Sequence, residues 1–142
     1  MGTKIEKLKN MIHLFFSHHT EEYYNRTFTI SFRDKEFHIC ARCSGVVISF
    51  LTAFSYILLT DVDLDSTFSL ILAVILAIPV MIDWGTQKLG YRESRNSIRF
   101  TTGVLLGLGI TLLRFTYEHF LITIIVISIF IIIFSIITMR AN

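Results

Sequence analysis

Charge is scarce in this chain, and where it is missing says more than how much there is. Only 17% of the 142 residues are Asp, Glu, Lys or Arg, against 53% hydrophobic, and Phe120–Thr138 carries none. A helix that is apolar on every face has no place on the surface of a water-soluble domain, so this stretch belongs in lipid. Proline is reduced to a single residue, Pro79. Apart from it, no apolar run is interrupted or charged near its centre, which disfavours a transporter or channel built on broken helices. Cysteine is limited to Cys40 and Cys43, spaced C-x-x-C and too close to staple a fold. The net charge of +2 is too small to point to a nucleic-acid partner. The first 20 residues are Lys-rich but broken by His13 and Ser17-His18-His19, with no small-residue cleavage site, so no cleavable leader is expected.

What remains is mostly membrane. Mean hydropathy is +0.63. Four apolar runs, Gly45–Thr60, Thr67–Ile82, Phe100–Thr116 and Phe120–Thr138, are separated by three short polar connections. The first two are short, since sixteen helical residues reach roughly 24 Å against a hydrocarbon thickness of ~30 Å. The helices are therefore expected near 41–60, 67–87, 98–116 and 120–139, with a bend at Pro79. Gly103 and Gly107 form a G-x-x-x-G face that admits a close neighbour. The fourth helix, uniform all round, reads as lipid-exposed or as a surface for homo-oligomers.

Lys and Arg fall unevenly along the chain. Residues 1–44 hold seven, the connection Asp61–Ser66 none, and Asp83–Arg99 four. Basic loops stay in the cytoplasm, so the expected arrangement is a multi-pass protein of the cell (cytoplasmic) membrane with both termini inside.

Residues 1–44 read as a small cytoplasmic head on a membrane domain of residues 45–142. Ile5, Leu8, Ile12, Phe15 and Phe16 share one stripe over residues 4–16, as in a helix lying on the membrane surface. Thr27–Phe32 and Phe37–Cys40 alternate with period two around Arg33–Glu36, a β-hairpin pattern. The fold class is thus an all-α integral membrane protein of four helices, with a head made of an interfacial helix and a hairpin. His38 and Cys40 fall on one face of the second strand, and Cys43 follows within a turn. With His18, His19 or His38, the two thiolates supply ligands for Zn or Fe. A reducing compartment favours that, or redox chemistry, over a disulfide. Free thiols packed at a helix start are the plainer alternative.

The connection from Asp83 to Arg99 is dense in polar groups. Asp83 and Gln87 stand at i and i+4 on one helix face, and an acid there needs water, a partner or a use. Arg92, Ser94, Asn96 and Arg99 precede the third helix, whose first N–H groups also suit an anion such as a lipid phosphate. Against this stands a plain ion pair from Asp83 to Arg92 or Arg99, fixing the helix hairpin. Head and loop are expected on one side of the membrane, where both polar clusters can line a single cleft.

Ser17-His18-His19, Arg26-Thr27-Phe28, Cys40-Ala41-Arg42-Cys43-Ser44-Gly45, Asp83-x-x-x-Gln87 and Arg92-x-Ser94-x-Asn96-x-x-Arg99, then Thr102-Gly103, together resemble the prokaryotic DUF2085 family of predicted membrane proteins. The resemblance covers residues 17 to about 107 and implies a small, helical, membrane-embedded protein without an assigned activity. It also brings Arg26 and Arg42 into the candidate site. Family members often carry Cys-His-Gln where this chain has Ser17-His18-His19, so a third cysteine ligand is absent and His18 or His19 would replace it.

Two functions are weighed from these residues. In the first, a polar site on the cytoplasmic face, with or without a metal, binds or processes a phospholipid or polyprenyl-phosphate head group. Asp83 and Gln87 are then the catalytic candidates, and Arg26, Arg42, Arg92, Ser94, Asn96 and Arg99 the ligand-binding ones. In the second, the protein is a non-enzymatic assembly module whose cap is held by zinc through His18, His19, His38, Cys40 and Cys43.

Overall fold

Thr27–Phe32 (β1) and Lys35–Cys40 (β2) pair antiparallel in a register that sets Thr27 opposite Cys40 and Phe32 opposite Lys35. The ladder thus begins two residues earlier in β2 than the alternation alone indicates, because Lys35 and Glu36 pair with Phe32 and Ser31 instead of turning. The computed structural model of the protein describes residues 27–32 and 35–141, and the side chains of all of these save 29–32 and 35–38. The expected interfacial helix over 4–16, with His18, His19 and Arg26, lies outside the described residues.

Cys40 ends β2 and caps the first helix, α1 (Ala41–Thr60), so hairpin and membrane helix share one continuous backbone. At the other end Asp61 stops α1 in the left-handed region, φ 47°, which a short polar side chain tolerates. The chain then crosses four residues to Asp65, whose carboxylate accepts from the Phe68 N–H at 2.7 Å and starts α2 (Ser66–Lys88). This helix continues through Pro79 and past Asp83 to Lys88. Its end closes on Gly90, φ +76°, with the Gly90 and Tyr91 N–H groups returned to the Gln87 and Thr86 carbonyls. After α3 (Asn96–Leu112), two short 3-10 turns carry the chain into α4 (Phe120–Arg140).

Four segments are long and apolar enough to cross a membrane: Ala41–Thr60, Ser66–Lys88, Asn96–Phe115 and Tyr117–Arg140. The expected fold class, four such helices and a small hairpin, is the observed one. The third span is central, with 39% of its apolar window buried, and the fourth peripheral at 6%. It packs on α1 and α2, while α4 touches chiefly α2.

The α1–α3 contact is made by glycine. A methyl group on Gly45 would strike the Phe100 carbonyl, one on Gly103 the Arg42 carbonyl, and one on Gly107 the Ser49 hydroxyl and Val46 carbonyl. Each obstacle but one is backbone, which cannot step aside. The G-x-x-x-G face of α3 therefore meets a glycine of α1, and the two backbones approach as only glycine permits. On α4, by contrast, the Ser128, Ser135 and Thr138 hydroxyls donate to carbonyls four residues back, at 2.8, 2.8 and 2.9 Å. These hydroxyls are satisfied within the helix, so the faces of α4 that do not pack on α2 can meet lipid.

Candidate functional site

The glycine crossing brings Arg42, in the first turn of α1, beside the last turns of α2. There Asp83 is 2% exposed and carries three partners. Its Oδ2 accepts from Arg42 Nη2 and from Gln87 Nε2 at 2.8 Å, and its Oδ1 accepts from Arg92 Nη2 at 2.9 Å. Gln87 Nε2 also donates to the Asp83 carbonyl at 2.7 Å. The Gln87 side-chain oxygen in turn accepts from Arg99 Nε and Nη2 at 3.0 and 2.7 Å. Arg42, Asp83, Gln87 and Arg99 thus form one chain across α1, α2 and α3, with Arg92 closing it from the loop.

Electrostatics explain why the carboxylate is tolerated here. A buried charge is costly unless paired and hydrogen-bonded, and Asp83 is both. Arg92 is the outer arm: its side chain is 41% exposed, and its Nε reaches the Thr86 hydroxyl at 3.1 Å. Arg42 is the inner arm, 19% exposed, and its Nε is buried with no hydrogen-bond partner among the described residues. The expected pairing of Asp83 with Arg92 is present. Arg99 pairs instead with Gln87, because it lies 5% exposed on α3, facing the end of α2 one turn beyond Asp83.

Other candidate residues are placed elsewhere. Asn96 fastens the hairpin, its Nδ2 donating to the Thr27 carbonyl at 3.1 Å, and Phe28 stands edge-on to Phe100 with ring centroids 6.0 Å apart. The Ser94 hydroxyl contacts the Arg95 carbonyl at 3.4 Å. The Cys40 and Cys43 side chains lie close together where β2 passes into α1, on either side of Arg42 in sequence. The side chain of His38 lies outside the described ones. Among the described residues no group of three or more His, Cys, Asp or Glu side chains is placed to hold a metal ion.

Next to the ion-paired network the bundle is open. A cavity of about 420 Å³ is bounded by Arg42, by Val80, Met81 and Trp84 of α2, and by Phe130 and Phe134 of α4. Trp84 stacks on Phe134 with ring centroids 3.8 Å apart and ties α4 to α2 here. Sequence reasoning missed three contributors: Trp84, Thr86 and the inward reach of Arg42. The first two stand within three residues of Asp83. The reach of Arg42 depends on the α1–α3 crossing, for which Gly45 was the unread signal.

A family model described as "Predicted membrane protein (DUF2085)" matches residues 22–113. An uncharacterized protein of Methanothermobacter thermautotrophicus is 41% identical over 91 residues, 64% of this chain and 81% of its own length. An uncharacterized protein of Methanocaldococcus jannaschii is 37% identical over 73 residues, and these span less than half of that relative, 45%. No solved structure matches. The family match begins before the hairpin and ends with α3. It therefore contains the glycine crossing and the Arg42–Asp83–Gln87–Arg99 chain, and stops short of α4.

Proposed function

The chain belongs to the DUF2085 family of predicted membrane proteins, and from that premise we propose that it binds a phosphate-bearing lipid or lipid carrier at the Arg42–Asp83–Arg92 network. One observation carries the reading: Arg42, whose guanidinium pairs with Asp83, is among the residues that line an otherwise apolar cavity between membrane helices. A site of that composition suits an amphiphile with an anionic head and a hydrocarbon tail. Arg42 borders the cavity and Arg92 shares its partner Asp83, and guanidinium forks suit phosphate geometry. Asp83 acts as their counter-charge and positioning group, since both its oxygens are engaged. The basic hairpin and the Asp83–Arg99 loop face the cytoplasm, following the distribution of Lys and Arg.

Phosphorus analysis of purified protein tests the proposal. Phosphate-bearing lipid should be retained through detergent exchange and lost several-fold in Arg92→Ala, whose half-exposed side chain can be removed without emptying the core. Retention no greater than that of an unrelated helical membrane protein, and unchanged in the variant, would reject it.

A second reading, a non-enzymatic module with a zinc-stabilised cap, is supported by the adjacency of the Cys40 and Cys43 thiols. They supply two ligands, and His18, His19 or His38 the remainder.

A further inference from the structure

Cys40 caps α1, and Cys43 is the third residue of its first turn. Those two positions are neighbours at any helix start, the pair through which a capping box closes. Cα atoms three residues apart in a helix lie about 5 Å from one another, inside the span that a disulfide bridges. The two cysteine side chains accordingly lie close together, with Arg42 between them in sequence.

This turn is held from outside. Ala41 is fully buried, and the Arg42 backbone lies so close to Gly103 that a methyl group there would strike the Arg42 carbonyl. The Arg42 guanidinium is paired with Asp83. The Ser44 hydroxyl adds an internal tie, donating to the Ala41 carbonyl at 2.9 Å. Packing therefore presents the two thiols to each other before any bond joins them. Two reacting groups held at one spacing have a high effective concentration, because the fold has already met the entropy of bringing them together. The thiols differ in access: Cys40 is buried, whereas Cys43 is half-buried.

We propose that Cys40 and Cys43 form a dithiol–disulfide exchange site, with a low-molecular-weight disulfide as oxidant and the corresponding thiol as reductant. The Cys43 thiolate attacks one sulfur of the small disulfide. That S–S bond breaks, a mixed disulfide forms on Cys43, and one small thiolate leaves and takes up a proton. The Cys40 thiolate then attacks the Cys43 sulfur and expels the second small thiol, which takes up the other proton. Two protein thiols are thus oxidised to one disulfide, and one small disulfide is reduced to two thiols. In a reducing compartment the site rests as the dithiol and closes transiently. It is independent of the phosphate reading, and it uses the cysteines for a bond where the zinc-capped reading uses them for a metal.

Full-length protein in nanodiscs of zwitterionic lipid would be equilibrated with glutathione and its disulfide, quenched with acid, alkylated and weighed. Ring closure consumes one glutathione disulfide and releases two thiols. At a fixed ratio of the two forms, diluting the buffer about tenfold should therefore raise the ratio of disulfide to dithiol protein about tenfold. A mixed disulfide exchanges one for one and would not move. In the same buffer a peptide of residues 37–46 should close several-fold less than the protein. Cys40→Ser should retain glutathione on Cys43, and Cys43→Ser should react about tenfold more slowly, because its remaining thiol is buried. Wild-type adducts that ignore dilution, or closure no better than the peptide's, would overturn the site. Equal rates in the two single variants would overturn the order of attack. A metal ion on each chain, with the thiols alkylated only after chelation, would overturn the proposal in favour of the zinc cap.

Discussion

Asp83 lies close enough to the membrane surface to have been hydrated, yet the fold buries it and surrounds it with guanidinium and amide donors. Removing the charge leaves Arg42 facing an apolar cavity without its counter-ion. Asp83→Asn is expected to lower stability by about 3–5 kcal/mol, the range for breaking a buried pair on one side. Reversible unfolding in mixed micelles would measure it. Arg92→Ala removes a half-exposed partner that water can replace, and should cost about 1 kcal/mol or less. Equal losses from the two substitutions would contradict the inner-and-outer division of the network. At the hairpin, elemental analysis of wild type and Cys40→Ser/Cys43→Ser protein tests the zinc-capped reading. Metal bound in the first and absent from the second is the outcome it expects.

At the scale of elements, the α1–α3 crossing should tolerate no added carbon. Gly45→Ala and Gly103→Ala each push a methyl group into backbone, and a loss of about 1–3 kcal/mol is expected from each. Gly85→Ala is the internal control, because its new methyl would meet only the Ile137 Cδ1 atom, the movable end of a side chain, at 3.2 Å. If Gly85→Ala costs as much as Gly45→Ala in the same unfolding assay, close backbone approach does not explain the crossing. Asn96→Ala should lose about 1 kcal/mol, the usual value of one hydrogen bond. It should also speed amide exchange over the hairpin while leaving α2 unchanged. The sequence disclosed the helices because apolar runs of this length have few other uses, and the hairpin because its period is two. It also placed Asp83 and Gln87 on one face, since a helix puts i and i+4 together. It did not disclose that Arg42 would lie against Asp83, 41 residues away. That contact follows from the angle and depth of a helix crossing, which pairwise spacing does not encode. The Asn96 contact was not legible for a similar reason: its partner, the Thr27 carbonyl, belongs to a strand whose docking no local pattern specifies.

For the whole molecule, an even number of spans sets the hairpin and the end of α4 on one side of the membrane and the acidic connection Asp61–Asp65 on the other. Cysteine placed at Asp63 should react with a membrane-impermeant maleimide added outside intact cells, whereas cysteine placed at Arg95 should react only after lysis. The reverse pattern would invert the proposed orientation. The unequal packing of the four helices also makes two parts of one bundle. Three helices, tied by glycine and by Asp83, form a firm unit that coincides with the family match, and α4 leans on it through Trp84.

The cavity beside Arg42 lies between helices long and apolar enough to cross a membrane, so the lipid proposed for it is drawn from the bilayer, and this changes how its occupancy is set. A ligand that enters from between lipids arrives by diffusion in two dimensions, and its chemical potential is fixed by its fraction of the bilayer, not by any aqueous concentration. Diluting a suspension of such membranes would leave the site as full as before. Adding inert lipid would empty it.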